Sequence, residues 1–217
     1  PELTKLVGTE CGPDVSFFER ILMTSCDWVR SDVAWTFAIA SVFLGLAAAL
    51  LGHWLEKAGP RKAGVAAGIF WGGGLMVTSL GVSLHQLWLI WLGAGVIGGI
   101  GLGLGYISPV STFIKWFPDR RGLATGMAIM GFGGGAMIGM PLGDYLIKAN
   151  GVGETFFIMG LIYLIAMTIG AFGYRVPAEG WKPEGWNPVA KKTNNMISSS
   201  HVHVSNAHKT PQFWLLW

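Results

Sequence analysis

Charge is what this sequence has least of. Acidic and basic residues make up only 12% of its 217 positions, while 52% are hydrophobic. A water-soluble domain of this length needs about a quarter of its residues charged to cover its surface, so that class fits poorly. Cysteine is nearly absent: Cys11 and Cys26 are the only two, and both precede the first long apolar stretch. Two unpaired thiols are the expectation there, with a disulfide as the alternative if that segment faces an oxidising space. No paired carboxylates, nucleophile–base set or metal-ligand spacing is visible, so no catalytic residue, cofactor or metal is expected, and the reading is not an enzyme. His201, His203 and His208 lie in a polar stretch without cysteine or carboxylate neighbours and read as solvated. The formal net charge of +3 comes from short scattered clusters, not one basic face, which excludes nucleic acid as a partner.

Glycine and long apolar runs are what the chain has in abundance. Glycine supplies 33 positions and the mean hydropathy is +0.50. Glycine costs about 1 kcal/mol per position in a water-exposed helix, whereas in lipid it lets helix backbones approach closely. Crossing the hydrocarbon core takes about 20 mostly apolar residues. Five stretches qualify: Val33–Leu55, Ala63–Val82, Leu87–Ile107, Leu123–Ile147 and Thr155–Tyr174. A sixth starts at Phe213 and runs to Trp217, so the sequence is read as a piece of a longer chain. None shows the alternation of a barrel wall. The fold class expected is an all-α membrane protein, with the lipid bilayer as its surroundings.

Lysine and arginine set the orientation. Eleven fall on one side: Lys57, Arg61 and Lys62 after the first stretch, Lys115, Arg120 and Arg121 after the third, and Arg175, Lys182, Lys191, Lys192 and Lys209 after the fifth. The other side has Lys5, Arg20, Arg30 and Lys148. The side with eleven is expected in the cytoplasm, and the segment 1–32 outside, after one missing span. Residues 33–175 then form a transmembrane bundle. Residues 176–212, with Pro177, Pro183, Pro188 and Pro211, read as a cytoplasmic linker, and 213–217 as the start of a further bundle. Trp54, Trp88, Trp116 and Trp214 fall near the expected interfaces, whereas Trp35 and Trp71 lie deeper and are candidates for a cavity wall.

Three motifs carry mechanism. Between the first two stretches, Gly52 is followed by Glu56, Lys57, Gly59, Arg61 and Lys62. An acid at a helix end can pair with arginine and with a neighbouring helix dipole in one conformation and not in another, which is the chemistry of a gate. In the third stretch Gly95, Gly99 and Gly103 are spaced by four and form a stripe for close helix packing. Tyr106, Ser108 and Pro109 follow, a polar set at membrane depth that suits a solvated cavity and makes Tyr106 and Ser108 candidate substrate contacts. The fourth stretch carries Gly135, Gly139 and Pro141. Tight packing around a proline bend there would seal against ion leak.

The Gly52–Lys62 loop resembles the signature loop of the major facilitator superfamily, and Gly135-x-x-x-Gly139-x-Pro141-x-Gly143 is similar to a glycine–proline motif of its antiporters. Glu56-Lys57-Ala58-Gly59-Pro60-Arg61, then Trp116-Phe117-Pro118-Asp119-Arg120-Arg121-Gly122, and Lys209-Thr210-Pro211-Gln212-Phe213-Trp214 look like the oxalate:formate antiporter family. Glu179-Gly180-Trp181-Lys182-Pro183-Glu184-Gly185-Trp186 resembles the linker of its monocarboxylate or lactate branch. The resemblance implies the major facilitator fold, with the five stretches as spans two to six and Phe213 opening span seven. It implies a carrier of small carboxylates, with protons as a candidate co-substrate, in a bacterial plasma membrane. The missing carboxyl-terminal half would bring the main anion-binding cations. Tyr106 matches a cavity tyrosine of the oxalate carrier. Ala34, beside Trp35, stands where the family has a cavity glutamine, which favours a less polar monocarboxylate. A carrier for another small solute, such as a sugar or drug, is the alternative.

Overall fold

The computed structural model describes residue 21, residues 27–178, 180–183 and 209–211. Cys11, Cys26, the three linker histidines and the apolar run from Phe213 lie outside the described residues, as do most of the segments 1–32 and 176–212. The chain divides into two units, Pro1–Trp181 and Lys182–Trp217. Among its described residues the first holds five long helices: α1 (Arg30–Ala58), α2 (Pro60–Ser83), α3 (Leu87–Trp116), α4 (Arg121–Asn150) and α5 (Val152–Gly173). All five are long and apolar enough to cross a membrane, and no strand lies among the described residues. At 1.5 Å per residue they span roughly 33–45 Å against a hydrocarbon core of about 30 Å.

Each sharp reversal has a local cause. Gly59, the single residue between α1 and α2, takes φ +85°, a conformation that favours glycine; its N–H donates to Leu55 O and Pro60 opens the next helix. Gly151 does the same between α4 and α5, with φ +81° and its N–H on Ile147 O. The third helix runs nine residues past the expected end at Ile107, through Pro109 to Trp116. The hydroxyls of Ser111 and Thr112 both donate to Ser108 O, so neither is left unpaired in this stretch.

Helix α2 is the hub. Its most extensive contact is with α5, and it also packs along α3. Glycine makes both approaches possible. A Cβ on Gly72 would lie 2.6 Å from Gly160 O of α5, and one on Gly74 would lie 2.6 Å from Gly93 O of α3. The α3 backbone is π-helical over Trp91–Ile97, where Gly93 approaches Gly74 and Thr78. On its other face α3 meets α1: Gly95, Gly99 and Gly103 lie against Ile39, Ala40 and Leu44 with no room for a methyl group. Helix α4 differs, since Ala124 is its one buried residue. Gly131, Gly133, Gly134, Gly135 and Gly143 have nothing within 4 Å among the described residues, and Gly139 faces the Tyr163 hydroxyl of α5.

Candidate functional site

The α1–α2 joint, the end of α3 and the end of α5 meet at the end of the bundle that carries the basic loops. The last carbonyls of a helix have no partner within it and carry its negative dipole end. Past the end of α5, Arg61 Nε donates to Tyr174 O at 2.6 Å, and Trp116 Nε1 donates to the next carbonyl, Arg175 O, at 2.8 Å. Ser108, fully buried, donates its hydroxyl to Pro60 O at 3.1 Å and so ties α3 to the same joint. Trp181 packs edge-on against Trp116, with ring centroids 5.1 Å apart. Burial raises the phenol pKa of Tyr174 above its ordinary 10.0. Glu56, Lys57 and Lys62 are exposed, and none forms an ion pair among the described residues. In the second basic loop Asp119 lies 3.5 Å from Arg120, and Arg121 opens α4.

The arginine thus bridges two helices of the same bundle. Its partner is a backbone carbonyl 113 residues away, which no sequence pattern marks.

The candidate substrate contacts fall in separate places. Trp71 lines a cavity of about 700 Å³ bounded by α2, α3, α4 and α5, where its ring packs edge-on to Tyr163 at 6.2 Å. Asp144 and Lys148 also line this cavity, 2.7 Å apart, and the rest of its wall is largely apolar. Tyr106 lines a second cavity of about 310 Å³ between α3 and α4, with its ring edge-on to Phe132. Trp35 is 53% exposed on α1 and lines neither of these two, and Ser108 is sealed at the joint. Tyr163 and Tyr174 are cavity residues that the motifs passed over.

A second polar cluster closes the opposite end of the bundle. His85, in the turn between α2 and α3, has φ +51° and stacks on Trp28 with ring centroids 4.2 Å apart and planes within 8°. Asp27 and Asp32 are buried beside them, and Trp91 Nε1 donates to Asp32 O at 3.0 Å. The sequence signal was there in two acids just before the first apolar stretch and a histidine in a three-residue turn. Among the described residues, no group of three or more His, Cys, Asp or Glu side chains could hold a metal ion.

The profile of the Major Facilitator Superfamily matches residues 15–217. An uncharacterized MFS-type transporter of Escherichia coli (strain K12), YhjX, is 30% identical over 201 residues, which cover 93% of this chain and 47% of that protein. The oxalate:formate antiporter of Oxalobacter formigenes is 30% identical over 171 residues, 76% of this chain and 37% of that one. Monocarboxylate transporter 2 of Meriones unguiculatus is 27% identical over 186 residues, 86% of this chain and 36% of that one. The chain spans less than half the length of these curated relatives. With five apolar helices of spanning length and a match over nearly all its residues, this multi-pass membrane chain belongs to the major facilitator superfamily.

Proposed function

We propose that the full-length protein is a secondary carrier of small carboxylates of the oxalate, formate and lactate kind, working by alternating access between two bundles. The observation that carries this reading is the similarity to an oxalate:formate antiporter over three-quarters of the chain, with a monocarboxylate transporter matching over a still larger share. The substrate passes near the midplane, with Tyr106, Trp71 and Trp35 on the amino-terminal side of its path. The missing carboxyl-terminal half supplies the anion-binding cations. Exchange of one carboxylate for another, or symport with protons, drives the flux. The basic loops face the cytoplasm of a bacterial cell, residues 176–212 link the two bundles, and Phe213 opens the second. The Glu56 carboxylate then faces the second bundle when the cytoplasmic side is closed.

The same carrier would place an occupant on the face of α4 that has no partner among the described residues. Helices α1 and α2, joined by Gly59, are matched by α4 and α5, joined by Gly151, and α2 and α5 pack on each other. Helix α3 packs on α1 and α2; its counterpart in an inverted repeat would pack on α4 and α5, along the cavity that Trp71 lines. A span preceding α1 fits there, against the glycines of α4.

Uptake of labelled oxalate, formate and lactate into proteoliposomes holding the full-length protein tests the proposal. Saturable uptake of at least one, inhibited by the others and not by hexoses, is expected. Saturable hexose uptake with none for any carboxylate would move the protein to another branch of the superfamily.

A further inference from the structure

A cleft of about 500 Å³ opens at the basic end of the bundle, between the α1–α2 joint and the end of α5. Its described lining holds three cations, Arg61, Lys62 and Arg175, and no acid. The site is built and not merely a charged surface. Arg61 is fixed through Nε by the Tyr174 carbonyl, which leaves the two terminal amines of its guanidinium to face a ligand. The backbone of Arg175 is fixed by the Trp116 indole. Helix α2 begins in the cleft without a side-chain cap, so its dipole adds to the positive potential.

We propose that this cleft binds the phosphate of an anionic phospholipid. Two features favour a lipid over a soluble phosphate. The cleft lies where apolar spans end, at the depth of headgroups. In the last turns of α5, the helix whose end borders the cleft, Ile169 and Phe172 are 68% and 67% exposed, and Val176 is an apolar member of the lining. An acyl chain can lie on this strip while its phosphate is held between the arginines. The lipid then bridges the loop that carries Glu56 to the end of α5. This inference rests on the chain being a membrane carrier of the stated orientation, but it concerns lipid binding and is measured without any transport.

The test uses full-length protein purified in detergent, incubated with equal amounts of labelled phosphatidylglycerol and phosphatidylcholine and weighed intact by native mass spectrometry. Retention of phosphatidylglycerol over phosphatidylcholine is expected, falling about fivefold for each cation removed in Lys62→Gln and Arg175→Gln. Arg175→Lys should keep most of the preference, and Lys148→Gln, at the other end of the bundle, should keep all of it. Each variant is first checked for a monodisperse elution profile, and Lys62→Gln alone decides the outcome if Arg175→Gln does not fold. Equal retention of both lipids, or a preference untouched by the two glutamine variants, overturns the proposal. Displacement of the bound phosphatidylglycerol by millimolar inorganic phosphate overturns the assignment to lipid and leaves a soluble-anion site.

Discussion

Three consecutive glycines on α2 offer a test of the packing with its own control. Gly72, Gly73 and Gly74 point in three directions. A Cβ on Gly72 would lie 2.6 Å from Gly160 O and 2.8 Å from Leu164 Cβ of α5. One on Gly74 would lie 2.6 Å from Gly93 O and 2.8 Å from Gly98 N of α3. One on Gly73 would meet nothing within 4 Å among the described residues. Ordinary carbon contacts begin about 3.5 Å apart, so each tight site needs roughly a 1 Å retreat of a neighbouring helix backbone. Overpacking of this kind costs about 1–3 kcal/mol, a factor of roughly 5 to 150 in the folded population. Gly72→Ala and Gly74→Ala should therefore destabilise the bundle by that amount. Gly73→Ala should be neutral or gain up to about 1 kcal/mol from helix propensity. Denaturant titration of the full-length protein in mixed micelles, followed by tryptophan fluorescence, measures all three. Equal effects at the three positions, or the largest at Gly73, would refute the helix contacts described.

Two further outcomes follow from the joints and from Tyr174. Gly59→Ala and Gly151→Ala meet no atoms within 4 Å among the described residues, so their cost is conformational alone, about 1–3 kcal/mol for an L-residue held at positive φ with extended ψ; the same titration should give closely similar losses for the two. Burial raises the Tyr174 pKa above 10.0, so the folded chain keeps a proton that the unfolded chain loses. The stability this group contributes is full below pH 10 and is lost as pH rises through the raised value; Tyr174→Phe should flatten the alkaline limb of a stability–pH profile.

The five spans were legible because bilayer thickness dictates their length, and apolar runs such as Leu123–Ile147 stay inside the observed helices. The end of α3 was not. The expected stretch stops at Ile107, where the apolar run gives way to Ser108 and Pro109, yet the helix continues through Pro109 to Trp116, with the hydroxyls of Ser111 and Thr112 paired on Ser108 O. The π-helical turn at Trp91–Ile97 was equally hidden; it coincides with the approach of Gly93 to Gly74 on another helix, a tertiary contact that no local pattern marks. At the candidate site, the basic loop stood out by its residue types. The partner of Arg61 did not, because a backbone carbonyl has no residue signature and lies 113 positions away.

Both the gate and the lipid cleft require the basic loops to lie in the cytosol. A single cysteine placed at Lys62 or Arg121 of a cysteine-free full-length protein, probed in intact cells with a membrane-impermeant maleimide, measures this directly, with a cysteine at Asn150 as the outward-facing reference. Labelling of the Asn150 site alone is predicted, with the other two reacting only after the cells are opened. Labelling of either basic-loop site in sealed cells would contradict the orientation, and with it the cytoplasmic gate and the lipid cleft.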